Sequence, residues 1–465
     1  VASTPAEIAS TNPANPDDIV VRVAPSGGID VDRAVTASID ASREWSSTPA
    51  QARSDALIRA AAAVEAEAPE LAALICREVG KPITEARGEV ARTVAILRYH
   101  AAAALDPDGE TYPPSDGRSL VMARRRPRGV VGLITPWNFP LAIPAWKLAP
   151  ALAYGNACVW KPSELAPASA IELHRLLAAQ LPDGVVQLVQ GYGDAGAALV
   201  AHTGVAAVSF TGSEATGALV ASALVARGAP SQCEMGGQNA SIVLADADIE
   251  TAAAVIATAA MGYAGQKCTA TSRIVCEAGV ISAMRDAIVA AVERMPVHDP
   301  SQDACQVGPV ISQVAEDRAV AAIERARTGG ARVLAGGDRL EGPGYYLAPT
   351  VVELDDAGGE LAQDEVFAPV CALLEVASAD AAVTVANGVR QGLATSIFTR
   401  DLDRALDVAG RIDTGLVRVN LPTSGVDLHA PFGGEKASGL GPREQGKAAR
   451  EFYTSWRTIS IAPSR

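Results

Sequence analysis

Apolar residues recur at helical spacing through the N-terminal part of the chain and then gather into short runs, and this change of period predicts the architecture. Ala56, Leu57, Ala60, Ala61 and Val64 share one helical face, as do Leu71, Leu74 and Ile75. Pro82 opens a further helix through Glu89, Val90, Thr93, Val94, Leu97 and Arg98. Ahead of these helices, residues 1–28 are rich in Pro, Ser, Thr and Gly, with one strand-like piece at 19–23. Residues 105–118 read as a linker, and 119–127 alternates enough for a strand carrying Arg124, Arg125 and Arg126. Adjacent arginines can bind phosphate, but a solvated or subunit-contacting strand is the commoner outcome.

From residue 129 to 244 short apolar runs (130–134, 156–160, 185–189, 205–210) alternate with helical stretches at 145–152 and 169–180. That alternation predicts a parallel sheet covered on both faces, with ligands at the carboxyl ends of its strands. A second α/β segment begins at Asn239 and closes near Phe432, with strands expected at 351–354, 371–376 and 393–399. Residues 452–461 alternate in a strand too apolar to hang in water, and are expected to complete a sheet across a subunit contact. The fold class is therefore α/β.

Composition adds bounds. A chain of 465 residues exceeds one core and should form more than one domain. A net charge of −14 argues against nucleic acid or an anionic membrane as partner. Cysteines at 76, 158, 233, 268, 276, 305 and 371 form no CxxC pair, and the histidines show no ligand spacing, so no metal is expected. The start lacks a basic segment leading into an apolar run, and no run spans a bilayer; a reducing cytoplasm is expected.

Three stretches carry candidate chemistry. Gly262 to Arg273 places Cys268 between an apolar helix and a short strand, with Gly262 and Gly265 freeing the backbone. An isolated cysteine is more often a small buried hydrophobe, so its company matters. Glu234 precedes Gly236 and Gly237 in a loop where a general base could swing; a solvated loop glutamate is the plainer reading. Asn138 stands between Pro136 and Pro140 after a strand, a preorganised donor or simply a turn asparagine.

Together, in this order and spacing, these stretches resemble the aldehyde dehydrogenase superfamily. Lys161-Pro162-Ser163-Glu164, Phe210-Thr211-Gly212-Ser213, Glu365-Val366-Phe367-Ala368-Pro369 and Pro431-Phe432-Gly433-Gly434 look like its further signatures, and the resemblance runs from about Asn12 to the last strand. It implies a Rossmann-like dinucleotide-binding domain (1–104 and 128–236), an α/β catalytic domain (237–432), and a small β oligomerisation arm (105–127 and 433–465). By that resemblance Cys268 is the nucleophile and Asn138 with the Cys268 backbone N–H holds the oxyanion, one such donor being worth ~3 kcal/mol. Glu234 activates the deacylating water, and Lys147 and Glu444 line a proton route. A homodimer or homotetramer is implied.

The implied cofactor is NAD, with NADP possible. Ile134, Thr135, Pro136, Trp137, Met235, Gly236 and Gly217 border it. Ser213 opens the helix that would face its pyrophosphate, although Glu214 beside it would repel phosphate unless turned away. Lys161, Ser163 and Glu164 would hold the adenosine ribose, Glu164 disfavouring a 2′-phosphate, and Glu365 with Phe367 the nicotinamide end. Phe139, Trp146, Lys267, Thr269 and Phe432 are the implied substrate pocket. Residues 421–429 and 441–446 look most like the branch acting on α-ketoglutarate semialdehyde, so a cation for the substrate carboxylate is expected; Arg92, Arg98 and Lys267 are the candidates, although a structural or solvated role is the commoner one for each. The alternative is a dehydrogenase of neutral aliphatic or aromatic aldehydes. A CoA-acylating enzyme would usually lack the base at Glu234, and a non-catalytic relative would have lost Cys268, Glu234 or Asn138.

Overall fold

The computed structural model describes residues 7–464. Strand Val130–Ile134 lies at the middle of a six-stranded sheet. Ala157–Lys161 and then Val186–Leu188 flank it on one side; Ala207–Thr211, Ser231–Glu234 and the short Gly439–Leu440 flank it on the other. All neighbours are parallel except the last, which runs antiparallel. Side chains alternate across this sheet. Val131, Leu133 and Trp160 pack under the helices Ala50–Ala66, Ala68–Val79 and Ile83–Ala103, while Val130, Val159 and Val208 face Gly28–Ser47 and Gly193–Ala201. Both faces are therefore dry, which is why these strands read as continuous apolar runs.

Register fixes what meets at the strand ends. Ile134 pairs with Lys161 on one side and Phe210 on the other, and Thr211 pairs with Glu234. The strand order reverses at Val130–Ile134, so the turns leaving it and Ala207–Thr211 flank the crevice where open α/β sheets bind ligands.

The second sheet has seven strands, in the order Arg332–Ala335, Thr350–Leu354, Val370–Val376, Thr271–Glu277, Asn239–Val243, Ala394–Phe398 and Leu416–Val419. Only the first pair is antiparallel. Because only the short link 235–238 joins Glu234 to Asn239, the carboxyl edge of the first sheet meets the amino edge of the second. Cys268, three residues before Thr271–Glu277, lies at that seam.

Two expectations need correction. The presumed linker contains a strand, Gly109–Tyr112, paired antiparallel with Leu120–Pro127. Its pattern shows no alternation because the strand is almost wholly exposed and is held through its backbone. The C-terminal strand Thr454–Ile461 also has a partner in its own chain, since it pairs with Leu120–Pro127 from Thr454↔Pro127 to Ile461↔Leu120. It therefore needs no second subunit to satisfy that edge. In addition, the strand read at 19–23 is longer, Asn15–Val23, and makes a hairpin with Ile8–Asn12. The adjacent arginines are engaged locally: Arg124 with Asp108, and Arg125 with Glu451 and the Trp456 ring.

Candidate active site

Helix Ile249–Met261 ends at Gly262, and a turn at 262–265 delivers the chain to Cys268. The backbone there is left-handed at Tyr263 (φ 55°), Ala264 (φ 51°) and Gly265 (φ 67°). Only the last is a glycine, so the turn stores strain that the surrounding packing must hold. At Gly265 a Cβ would lie 2.2 Å from the Ala368 carbonyl, so both conformation and space require glycine. Asn239, the first residue of its strand, donates from Nδ2 to the carbonyls of Cys268 and Ala270, both at 2.8 Å, which fixes the backbone at the expected nucleophile.

The Cys268 thiol is half-buried, and all seven cysteines are free. Burial, with Glu365 and Glu234 adding negative charge nearby, pushes it up to about 12. The protein alone therefore keeps it as a thiol. Asn138 follows the first-sheet strand and is buried, its Nδ2 donating to the Gln266 carbonyl at 2.9 Å. An amide nitrogen has a second N–H, and this one is left for another acceptor. The acceptor residue, Gln266, is two positions before Cys268, so the amide and the thiol are tied to one loop.

Glu234 ends its strand in a buried position, accepting from the Gly434 N–H at 3.2 Å. Burial first, and then the nearby Glu444, raise it well above the usual carboxylate range, opposed by Lys147. Lys147 and Glu444 form a buried ion pair, and Lys147 also donates to Ser209 Oγ at 2.7 Å. Ser209 Oγ in turn reaches Gln232 Oε1 at 2.9 Å. These polar groups form one buried chain of hydrogen bonds, from Glu444 through Lys147 and Ser209 to Gln232.

A cavity of about 330 Å³ joins the two sheets. Pro136, Trp137, Asn138, Thr211, Gly212, Ser213, Met235, Gly236, Cys268, Glu365 and Phe367 line it. It thus gathers the expected nucleophile, amide donor and many of the expected cofactor residues. A dinucleotide fits this donor set. Ser213 caps helix Glu214–Ala226, presenting its free N–H groups at the sheet's carboxyl end, and the buried Thr211 hydroxyl has no partner among the described residues. Crowding fixes the glycines: a Cβ at Gly212 would lie 2.6 Å from the Phe210 ring, and one at Gly217 2.4 Å from Met235 Sδ. The worry over Glu214 resolves, because its carboxylate pairs with Arg390 and accepts from Gln391.

Lys161, at its strand's end, is buried and 3.8 Å from Glu164; its Nζ donates to Pro162 O at 2.8 Å, and Ser163 Oγ accepts from Leu165 N. Glu365 accepts from Gly237 N at 3.2 Å, and burial pushes its carboxyl up to about 7. Phe367 is left-handed (φ 59°) and meets Trp137 edge-on at 5.8 Å. Among the residues expected around the substrate, Trp146 and Phe432 lie 5.5 Å apart, Phe139 meets Tyr263 edge-on at 6.2 Å, and Thr269 is buried.

The candidate cations for a substrate carboxylate are engaged with other groups, the commoner role for such residues. Lys267 pairs with Glu85 at 2.8 Å and Arg98 with Glu65, while the Arg92 guanidinium donates to the Val426 carbonyl. Several cavity residues had no sequence signal, and one of them is charged. Arg318, on helix Gln313–Thr328, lines the cavity and donates to Val366 O at 2.6 Å, beside Glu365. Nothing in its helical spacing separates it from a solvated arginine. Among the described residues no group of His, Cys, Asp and Glu could hold a metal ion, and no helix is long and apolar enough to cross a membrane.

Residues 1–459 match the aldehyde dehydrogenase family. The alpha-ketoglutaric semialdehyde dehydrogenase of Bacillus subtilis is 42% identical over 461 residues, covering 97% of this chain and 94% of its own. The alpha-ketoglutarate semialdehyde dehydrogenase of Haloferax volcanii is 39% identical over 456 residues, covering 97% and 94%. Among solved structures, betaine aldehyde dehydrogenase from Staphylococcus aureus in complex with NAD+ superposes with a TM-score of 0.95 at 29% identity, covering 99% of this chain and 93% of that one.

Proposed function

The chain belongs to the aldehyde dehydrogenase family, NAD(P)-dependent oxidoreductases acting on aldehydes, and on that premise we propose that it oxidises an ω-semialdehyde bearing a carboxylate, such as α-ketoglutarate semialdehyde or succinic semialdehyde. The observation that carries the site reading is the single cavity bordered by Cys268, Asn138 and Glu365, with Glu234 at the end of the adjoining strand. The names of the relatives support the substrate.

In the proposed mechanism the Cys268 thiol gives its proton to solvent water as its sulfur adds to the aldehyde carbon, forming a thiohemiacetal oxyanion. Its oxygen accepts from the free Asn138 N–H and the Cys268 backbone N–H. Bound NAD supplies the hydride acceptor; Lys161, Ser163 and Glu164 would hold its ribose, and Ser213 its pyrophosphate. Gly212 and Gly217, whose lack of a side chain leaves room for Phe210 and Met235, would border it, and Ile134, Thr135, Pro136, Trp137, Phe210, Thr211, Met235 and Gly236 would enclose it. Glu365 and Phe367 would take the nicotinamide end, to which we add Arg318. Loss of hydride leaves a thioester on Cys268. Glu234 takes a proton from water, the hydroxide adds to the thioester, the C–S bond breaks, and the acid departs as the thiol re-forms. Lys147 and Glu444 would line a route by which Glu234 exchanges protons.

Residues 1–104 with 128–236 would bind the dinucleotide, 237–432 would carry the nucleophile, and 105–127 with 433–465 would join subunits as a dimer or tetramer. Thr454–Ile461 is an edge strand with Trp456 and Ile461 exposed, which supports this role. We place the enzyme in a reducing cytoplasm, where Cys268 stays free. A neutral aldehyde is the second reading, favoured by the engagement of Lys267 and Arg98 with carboxylates. NADH production across a panel decides between them. A higher kcat/KM for α-ketoglutaric or succinic semialdehyde than for a neutral aldehyde of equal length is expected; preference for hexanal or benzaldehyde would overturn it.

A further inference from the structure

Helix Ile83–Ala103 contributes no group to the cavity described above, yet one of its faces reaches three loops of the site. Glu85 pairs with Lys267, the neighbour of Cys268; Glu89 lies one turn on; Arg92 donates to Val426 in the loop that leads towards Phe432. Spacings of four and then three residues put these side chains on one face.

The middle contact is the most elaborate. Lys81 and Glu89 form an ion pair whose side chains are 0% and 1% exposed. Glu89 Oε1 accepts from the N–H groups of Leu141 at 2.9 Å and Ala142 at 3.0 Å, at the start of helix Ala142–Ala153. Lys81 Nζ lies 3.7 Å above the Phe139 ring and 4.6 Å from that of Tyr263. Phe139 follows Asn138 directly, and Tyr263 is the first left-handed residue of the turn that delivers Cys268. A fully buried ion pair gives little net stability against an apolar replacement, so its geometry is the more telling feature.

We propose that Glu89, held by Lys81, is a positioning residue for the oxyanion site, anchoring the Asn138 loop through the Leu141 and Ala142 N–H groups. This rests on the reading of Asn138 as oxyanion donor. Glu89 itself touches no reacting atom; its effect on the reaction passes through Asn138.

Two double variants separate anchoring from charge. Lys81→Met/Glu89→Gln loses both charges but keeps an acceptor for the two N–H groups. Lys81→Met/Glu89→Met loses the acceptor as well. The readout is the rate constant of the first-turnover NADH burst. The methionine variant should fall about tenfold or more, on the scale of a displaced oxyanion donor, and the glutamine variant should stay within about threefold of wild type. Affinity for NAD and the rate of Cys268 alkylation by iodoacetamide should not change, whereas a general loosening of the fold would move both.

In an Asn138→Ala background the methionine pair should cost less than about threefold further, because effects acting through one group do not add. An unchanged burst in the methionine variant, or an equal penalty with and without Asn138, overturns the inference. If Asn138→Ala alone leaves the burst unchanged, the oxyanion reading itself fails. Should the methionine variant not fold, hydrogen exchange on wild type and the glutamine variant reads the same claim. The Leu141 and Ala142 amides should be strongly protected in both, and exchange at the rate of exposed loops would overturn it.

Discussion

Glu234 carries a buried carboxyl raised above its ordinary range chiefly by burial and next by Glu444. As a base it acts only when deprotonated, so deacylation should speed up as pH rises through that raised value. Glu444→Gln removes the neighbouring negative charge and frees Lys147 to act on Glu234; both changes favour the carboxylate. The acidic limb of the steady-state pH profile should therefore move to lower pH, and a limb that stays or moves up would count against this coupling. Cys268 leads to a second expectation. With its thiol pushed up to about 12, alkylation of the free enzyme by iodoacetamide should still be climbing at pH 10, without a plateau near neutrality. The residue type and order of Cys268, Glu234 and Asn138 could be read from the chain. The state of the thiol could not, because it depends first on burial and then on Glu365 and Glu234, carried on other segments of the chain.

Among the elements, the turn opened by Gly212 and the strand end at Lys161 form the two sides proposed for the dinucleotide. Glu164, 3.8 Å from Lys161 and partly exposed, would face the 2′-position of the ribose. NAD should support faster turnover than NADP, and Glu164→Ala should narrow the ratio of their kcat/KM values, by about tenfold if one like-charge contact worth about 1.4 kcal/mol is relieved. Better wild-type turnover with NADP would refute that role. Strands such as Val130–Ile134, Ala157–Lys161 and Ala394–Phe398 were legible because each is buried on two faces and reads as an apolar run, whereas the partly buried Arg332–Ala335 and Leu416–Val419 were not. Gly109–Tyr112 was not, since an exposed edge strand has no apolar face to mark it. The left-handed Tyr263 and Ala264 were equally hidden, because neither residue type signals that conformation and tertiary packing imposes it.

At the scale of the whole molecule, Thr454–Ile461 covers Leu120–Pro127 along its full length and leaves its own outer edge open. Phe452 and Tyr453 are core residues, so a cut after Tyr453 spares the core while removing the strand. Such a truncation should lower the oligomeric mass in light scattering or aggregate through the bared edge. A truncated protein of wild-type mass and activity would remove the case for an assembly strand. The assembly argument from sequence was incomplete for a physical reason: pairing between strands more than three hundred residues apart leaves no local trace.

The central claim is a division of labour, with Cys268 forming the acyl bond and Glu234 only resolving it. Rapid-mixing measurement of NADH with Cys268→Ala and Glu234→Gln tests it most directly. Cys268→Ala should give no NADH even in the first turnover, since no thiohemiacetal forms. Glu234→Gln should give a burst near one NADH per active site and then stall, with the thioester on Cys268 visible by mass spectrometry. If Glu234 also helps deprotonate the thiol, the burst will be slowed at neutral pH and restored as pH rises. Steady turnover of Glu234→Gln at the wild-type rate, or a burst from Cys268→Ala, would contradict the account.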